Sequence, residues 1–259
     1  MDVIAALVER LRRSIEVVQD LSLFTASSIR ACFSRPFYGS EFLTQLHFAT
    51  IGSLLIVLVS SLVAGQALAI QLVRELANTG AKSELGHFMV ISSVRALGPV
   101  LTGMVVASRM SAGITAEIGA MRSSDQIDAL VAFGADPMKR LVVPRLVALV
   151  AALPALVIVA DALGVLGGGL VGLQYHLTWE TYMNGVFKYL TPKNLLVGMI
   201  KPFIFAVMIV IVACWKGFTS EGGAKGVGAS TTQSVVISSV GILVTDGICT
   251  RLIFKLLHW

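Results

Sequence analysis

Four charged residues stand inside stretches that are otherwise apolar: Arg95, Asp161, Lys201 and Asp246. A charge at the centre of a bilayer costs about 2.5–3.5 kcal/mol on insertion scales, so such residues face a cavity, a partner or one another. At about 1.5 Å of rise per helical residue, all four fall between the midplane and one outer third of a bilayer. Two cations and two anions at one depth admit two chemistries. They can pair to hold a helix bundle together, or Arg95 and Lys201 can line a cavity and meet an anionic group such as a lipid phosphate. Covalent chemistry finds no such layer. His47, His87, His176 and His258 are scattered, and Cys32, Cys214 and Cys249 are widely separated. Neither set has the spacing of a metal site, a disulfide framework or a hydrolase, and the cysteines read as small buried hydrophobes. ATP chemistry is excluded too. No G-x-x-x-x-G-K-[ST] occurs, and in the Gly-rich run 220–230 Lys225 is followed by glycine, so the loop that cradles phosphate is missing. That run reads as a flexible connector whose glycines allow tight turns.

The elements that position these charges follow from composition. Of 259 residues, 56% are hydrophobic and 14% charged, and the mean hydropathy is +0.84, which places the chain among integral membrane proteins. Asp2, Glu9, Glu16 and Asp20 interrupt the start, so it does not read as a cleavable signal and is expected to persist. Five segments have the roughly 20 apolar residues that a spanning helix needs: about 48–72, 87–107, 146–173, 195–215 and 234–256. Apart from Arg95 and Lys201, twelve Lys and Arg flank one side and six the other, counting Arg251 and Lys255 at the far end of the fifth segment, which puts the N-terminus in the cytoplasm and the C-terminus outside. Residues 1–47 precede the spans. Ile4, Leu7, Leu11, Ile15 and Val18 recur there at three-to-four spacing opposite Glu9, Arg10, Arg12, Arg13 and Glu16, an amphipathic pattern that suits the membrane interface or a soluble partner. The turn "RPFYGSEF" (35–42) then leads through a second short element into the first span. In the third span, Gly164, Gly168 and Gly172 form overlapping GxxxG spacings, a close-approach surface for a neighbouring helix of the bundle or of a second copy.

Between the second and third spans lies a polar stretch, "MRSSDQIDALVAFGADP" (121–137). Ser123 with Gln126 fits a capping box, Asp125 and Asp128 suit a helix N-terminus, and Gly134 fits a C′ stop, giving a helix over about 123–134. Asp136 and Pro137 read as the N-cap and first position of the next helix. Ile127, Leu130 and Val131 make one narrow apolar stripe. It suits docking in a partner's groove, and equally an amphipathic loop helix lying on the membrane.

Two long collinear blocks then resemble the MlaE/YrbE permeases, the membrane subunits of ABC lipid transporters that work with MCE-domain proteins. They are "RALGPVLTGMVVASRMSAGITAEIGAMRSSDQIDALVAFGADPMKRLVVPR" (95–145) and "GGAKGVGASTTQSVVISSVGILVTDGICT" (222–250). The resemblance implies an all-α integral membrane protein with an N-terminal interfacial helix, five transmembrane helices and a cytoplasmic coupling helix between spans two and three. It implies a homodimer in the bacterial inner membrane that moves phospholipid to or from a periplasmic MCE carrier for outer-membrane lipid homeostasis. It further implies an ABC ATPase subunit that binds the ATP and Mg this chain does not, a small STAS-type cytoplasmic subunit, and no nucleic acid. Glu117, Asp125, Gln126, Asp128, Leu130, Asp136 and Pro137 match the coupling element, and Arg145 the basic residue opening the next span. Arg95 and Lys201 match basic residues of the lipid cavity. One position departs: Ala96 stands where the family commonly has Glu beside the arginine, so Arg95 must find a partner in Asp161, Asp246 or a lipid. Ser108 and Met110 also replace the usual small residues around Arg109. The rival readings are an ion-coupled secondary transporter or channel, against which the missing inverted repeat argues, and a non-transporting assembly scaffold, which would bind no lipid.

Overall fold

The computed structural model describes residues 2–34 and 38–256, and these are helical with no strand among them. In chain order the helices are α1 (Asp2–Cys32), α2 (Gly39–Asn78), α3 (Lys82–Ser123), α4 (Gln126–Ala132), α5 (Met138–Gln174), α6 (Trp179–Tyr189), α7 (Pro192–Phe218) and α8 (Gly223–Leu256). Five of them, α2, α3, α5, α7 and α8, are long and apolar enough to cross a membrane, and each expected span lies inside one of these. The helices overrun the spans at both ends, because hydropathy marks where lipid would begin and not where backbone hydrogen bonding stops.

Two differences concern the segments read as irregular. The second short element before the first span does not form, since α2 runs unbroken for 40 residues from Gly39; Arg35, Pro36 and Phe37 lie outside the described residues. The Gly-rich run 220–230 is mostly helix, because α8 begins at Gly223 and the connector shrinks to Ser220–Gly222. Its composition argued for a loop, but Val227 and Ser220 close on α3 at Gly119, where an added Cβ would stand 3.0–3.1 Å from both side chains. Tertiary contact at that small residue overrides the weak helix propensity of the glycines.

α2 packs along α5, and α3 packs between α7 and α8. The α2 seam is a four-residue ladder of mostly small side chains, Ala49, Ser53, Val57, Ser61, Gly65, Ala69 and Val73, all buried. Such a ladder lets two backbones approach closely, and where lipid replaces water as solvent, van der Waals packing of this kind drives association. The α5 glycines complete it. A Cβ on Gly65 would collide with the backbone of Gly164, and one on Gly167 would stand 2.6 Å from Leu62 O. Gly168 lies against Met89 and the Tyr182 hydroxyl, and Gly172 against Leu85. The glycine stripe is therefore consumed within one chain, which decides between the two neighbours left open for it. Gly65→Ala is expected to lower stability by about 1–3 kcal/mol through overpacking. Thermal unfolding in detergent reads this, with Gly228→Ala, which meets nothing within 4 Å, leaving the midpoint in place.

α6 is anchored on α5 by Tyr182, which is 1% exposed and donates to Val165 O at 2.6 Å; burial pushes its phenol far above the ordinary range. At the other end, α1 lies across the start of α5 and the C-terminal part of α7, burying Phe24, Ser28 and Ala31 and setting Phe24 5.8 Å from the Phe218 ring. On its expected apolar face Ile15 and Val18 point away from the bundle, while the side chains of Ile4, Leu7 and Leu11 lie outside the described residues.

Candidate functional site

The four intramembrane charges gather around one irregularity. Residues Ser93–Leu97 form a π turn within α3, in which Gly98 N–H bonds Ser93 O. Pro99 explains why an anchor is needed here. Proline has no N–H, so the carbonyl four residues earlier, Arg95 O, loses its helical donor, and Lys201 Nζ takes that carbonyl at 2.7 Å. The same ammonium pairs with Asp246 Oδ1 at 2.7 Å. Lys201 is 1% exposed, so one buried cation joins α7 to both α3 and α8. The Arg95 side chain turns the other way. Its Nε donates to Asn194 Oδ1 at 3.0 Å, its Nη2 reaches the same oxygen, and its guanidinium stands 5.7 Å from the centre of the Phe254 ring. Asn194 is itself held by donating to Tyr189 O at 2.6 Å. Asp161 is on a separate side of the turn, against Ser93 and Gly98.

The pairing reading therefore describes Lys201, which does not line the cavity expected for it, and of the two cations Arg95 alone borders one. Lys201 and Asp246 form a structural ion pair. Arg95 meets a neutral amide, and with His87, Lys193 and Asn194 it lines a cavity of about 690 Å³ at the α7 N-terminus. Asn194 gave no sign of its role in the sequence, where it is one polar residue at a span's edge; the orphaned carbonyl was legible in the spacing of Arg95 and Pro99.

The second group of candidates sits where α3 hands over to α5. Here the helix expected over 123–134 is shorter, Gln126–Ala132, and the capping box is absent. Ser123 still belongs to α3 and bonds back to Gly119 O at 2.9 Å. The chain reverses at Asp125, whose left-handed φ of 56° precedes α4 with no side-chain cap; Asp is among the residues that tolerate this region. The stop is as expected. Gly134 has φ 75°, its N–H bonds Val131 O, and Ala135 N–H bonds Leu130 O, the paired bonds of a Schellman motif. Asp136 Oδ1 then accepts the Met138 N–H at 2.9 Å with Pro137 opening α5, an N-cap of the anticipated form.

The apolar stripe divides. Ile127 is 5% exposed inside the chain's own core and Leu130 packs against it, whereas Val131 is 56% and Phe133 89% exposed. Sequence reasoning passed over Phe133, which lies one turn from Leu130 and just before the glycine stop. Asp128 pairs with Arg122 at 3.0 Å. Glu117 pairs at 2.7 Å with Arg145, which is 4% exposed and also donates to Leu141 O at 2.6 Å. That pair ties the end of α3 to the start of α5. Glu117, Gln126, Leu130, Phe133, Arg140 and Arg145 together border a cleft of about 400 Å³ under α4. Arg109, which lies just beyond the expected second span of about 87–107, is within α3. It lies over Gly52, donates to Phe48 O and Ser53 Oγ at 3.0 and 3.1 Å, and stacks on Phe48 at 4.5 Å.

The family model described as permease MlaE matches residues 42–252. A probable ABC transporter permease protein of Rickettsia bellii is 39% identical over 249 residues, covering 94% of this chain and 96% of that protein. The chloroplastic protein TRIGALACTOSYLDIACYLGLYCEROL 1 of Arabidopsis thaliana is 36% identical over 214 residues, 82% of this chain and 61% of its own length. An intermembrane phospholipid transport system permease protein, MlaE of Haemophilus influenzae, is 34% identical over 216 residues, 81% of each chain.

Proposed function

The chain belongs to the MlaE permease family, and on that premise we propose that it is the inner-membrane subunit of an ABC transporter that moves phospholipid between that membrane and a periplasmic MCE-domain carrier. The observation that carries this reading is the family match over residues 42–252, which takes in both the π turn of α3 and α4. The cargo follows from the phospholipid named for the Haemophilus relative. A polar layer that holds Arg95 and Lys193 beside an apolar bilayer face suits a lipid phosphate.

Two copies form the transporter, with the N-terminus cytoplasmic and the C-terminus periplasmic. The subunit performs no covalent chemistry. ATP and Mg are held by a separate ATPase, whose force enters through α4 with its exposed Val131 and Phe133. The Glu117–Arg145 pair transmits it, since it spans the two helices that α4 joins. A small STAS-type subunit completes the cytoplasmic side.

Purification of the complex from its native membrane tests the whole reading. An ATPase, an MCE-domain protein and bound phospholipid are expected to co-purify in stoichiometric amounts, identified by mass spectrometry. A preparation active in ion flux without an ATPase would favour the secondary-transporter reading, and one with an ATPase but no lipid the scaffold.

A further inference from the structure

Asp161 is a buried carboxyl that the proposed function leaves unused. It is 9% exposed, its Oδ1 has no hydrogen-bond partner, and it forms no ion pair among the described residues. The cations of the polar layer are engaged elsewhere, Arg95 with Asn194 and Lys201 with Asp246. The elements packed around Asp161 present no charge to it. α3 offers the Ser93 side chain, which hydrogen-bonds the carboxyl, and Gly98, where an added Cβ would overlap Asp161 Oδ1. α2 meets the next turn of α5 at Gly164 with Gly65 and Ser61 O. α6 and α7 present Val186, Leu195 and Met199 across an apolar cavity. The carboxyl therefore touches both ends of the π turn, whose closing bond runs from Gly98 N–H to Ser93 O.

An ionised carboxylate buried without a counter-charge is far more costly than the neutral acid, and a single hydroxyl does not offset the difference. Where the seam opens to water, the same group ionises as an exposed aspartate does. We infer that Asp161 is a proton-binding site, neutral in the packed seam, and that its proton latches the π turn of α3 against α5. Loss of the proton to water frees residues 93–98. Opening releases one proton, so above the ordinary carboxylate range the opening equilibrium grows about tenfold per pH unit. The turn loosens as pH rises. Because that turn carries Arg95, the latch governs how firmly the guanidinium is presented to its cavity. The inference goes beyond the proposed transport function and does not depend on which cargo the transporter moves.

The test uses the full chain purified in a non-ionic detergent. Its infrared spectrum is expected to show a protonated-carboxyl stretch that shifts in D2O, vanishes in Asp161→Asn and moves in Ser93→Ala. Asparagine keeps the size of the side chain without a titrating proton. Ser93→Ala removes only the hydroxyl that bonds the carboxyl, so it remains informative if Asp161→Asn fails to fold. Amide hydrogen exchange of residues 93–98, corrected for its intrinsic pH dependence, should rise about tenfold per pH unit in the wild type and stay level in Asp161→Asn. A spectrum without such a band, or with one that neither variant alters, overturns the neutral acid. Level exchange in the wild type, or the same rise in a folded Asp161→Asn, overturns the latch.

Discussion

Phe133→Asp is expected to abolish capture of the ATPase subunit while leaving the permease folded. Phe133 is 89% exposed, follows the last turn of α4, and is held in place by the Gly134 stop. Its ring contributes little to this chain's own packing, and a rigid exposed aromatic at the tip of a docking element is the residue type that dominates interface energies. Truncating such an anchor commonly costs 2 kcal/mol or more, roughly a thirtyfold loss of affinity. Co-purification of a tagged ATPase with wild-type and variant permease measures it, and gel filtration of the variant alone checks the fold. Leu130→Asp is a poorer probe, though the stripe in the sequence suggested it. Leu130 packs against the chain's own core, so an aspartate there is expected to unfold the α3–α5 junction as well as disturb docking. Retention of ATPase by a folded Phe133→Asp would remove α4 from the coupling role.

The larger effect on stability is expected from Lys201→Leu. That change strips Asp246 of its cation and returns Arg95 O to the unpartnered state that Pro99 creates. Removing one member of a buried pair costs about 3–5 kcal/mol, mainly because the remaining charge stays in place, whereas replacing both members with apolar residues is often neutral. Lys201→Leu with Asp246→Leu should therefore recover much of what the single change loses, short of the carbonyl contribution of about 1–3 kcal/mol for an unsatisfied buried group. Thermal unfolding of the wild type, both single variants and the double variant gives the cycle. A single variant as stable as wild type would show that the pair does not hold α7 to α3 and α8.

How much of this was legible depends on which scale of pattern recorded it. The five long helices were, because each needs about 20 apolar residues in a row and nothing else in a sequence looks similar. The Gly164, Gly168 and Gly172 stripe was legible as a surface of close approach, but not its neighbour. That lies in the ladder from Ala49 to Val73, whose mixture of Ala, Ser, Val and Gly does not stand out within an already apolar run. Helix ends were least legible. Ser123 satisfies the capping-box pattern, yet its hydroxyl is spent on Gly119 O, since serine bonds backward along a helix as readily as forward at a cap.

At the polar layer the four charges could be listed and given a common depth from the sequence, but not connected. Connection required the orientation of α7 against α3, which gives Lys201 to Asp246 and Asn194 to Arg95. It also separates Asp161 from all of them. The replacement of the family's usual glutamate by Ala96 left Arg95 in need of a partner, and the two carboxylates considered were natural choices on charge alone. An amide proved to hold its Nε, because Asn194 opens α7 directly opposite the π turn.

The π turns at Ser93–Leu97 and Met138–Val142 also bear on how such a chain can vary in length. In an ideal helix a residue gained or lost rotates everything beyond it by about 100°, which here would carry Gly164 off Gly65 or Lys201 off Arg95 O. A π turn already holds one residue more than the turn it replaces. Loss of that residue exchanges the π turn for an α turn and leaves both flanking faces in register, so α3 and α5 can each shorten by one residue at these segments without turning a packed face away from its neighbour.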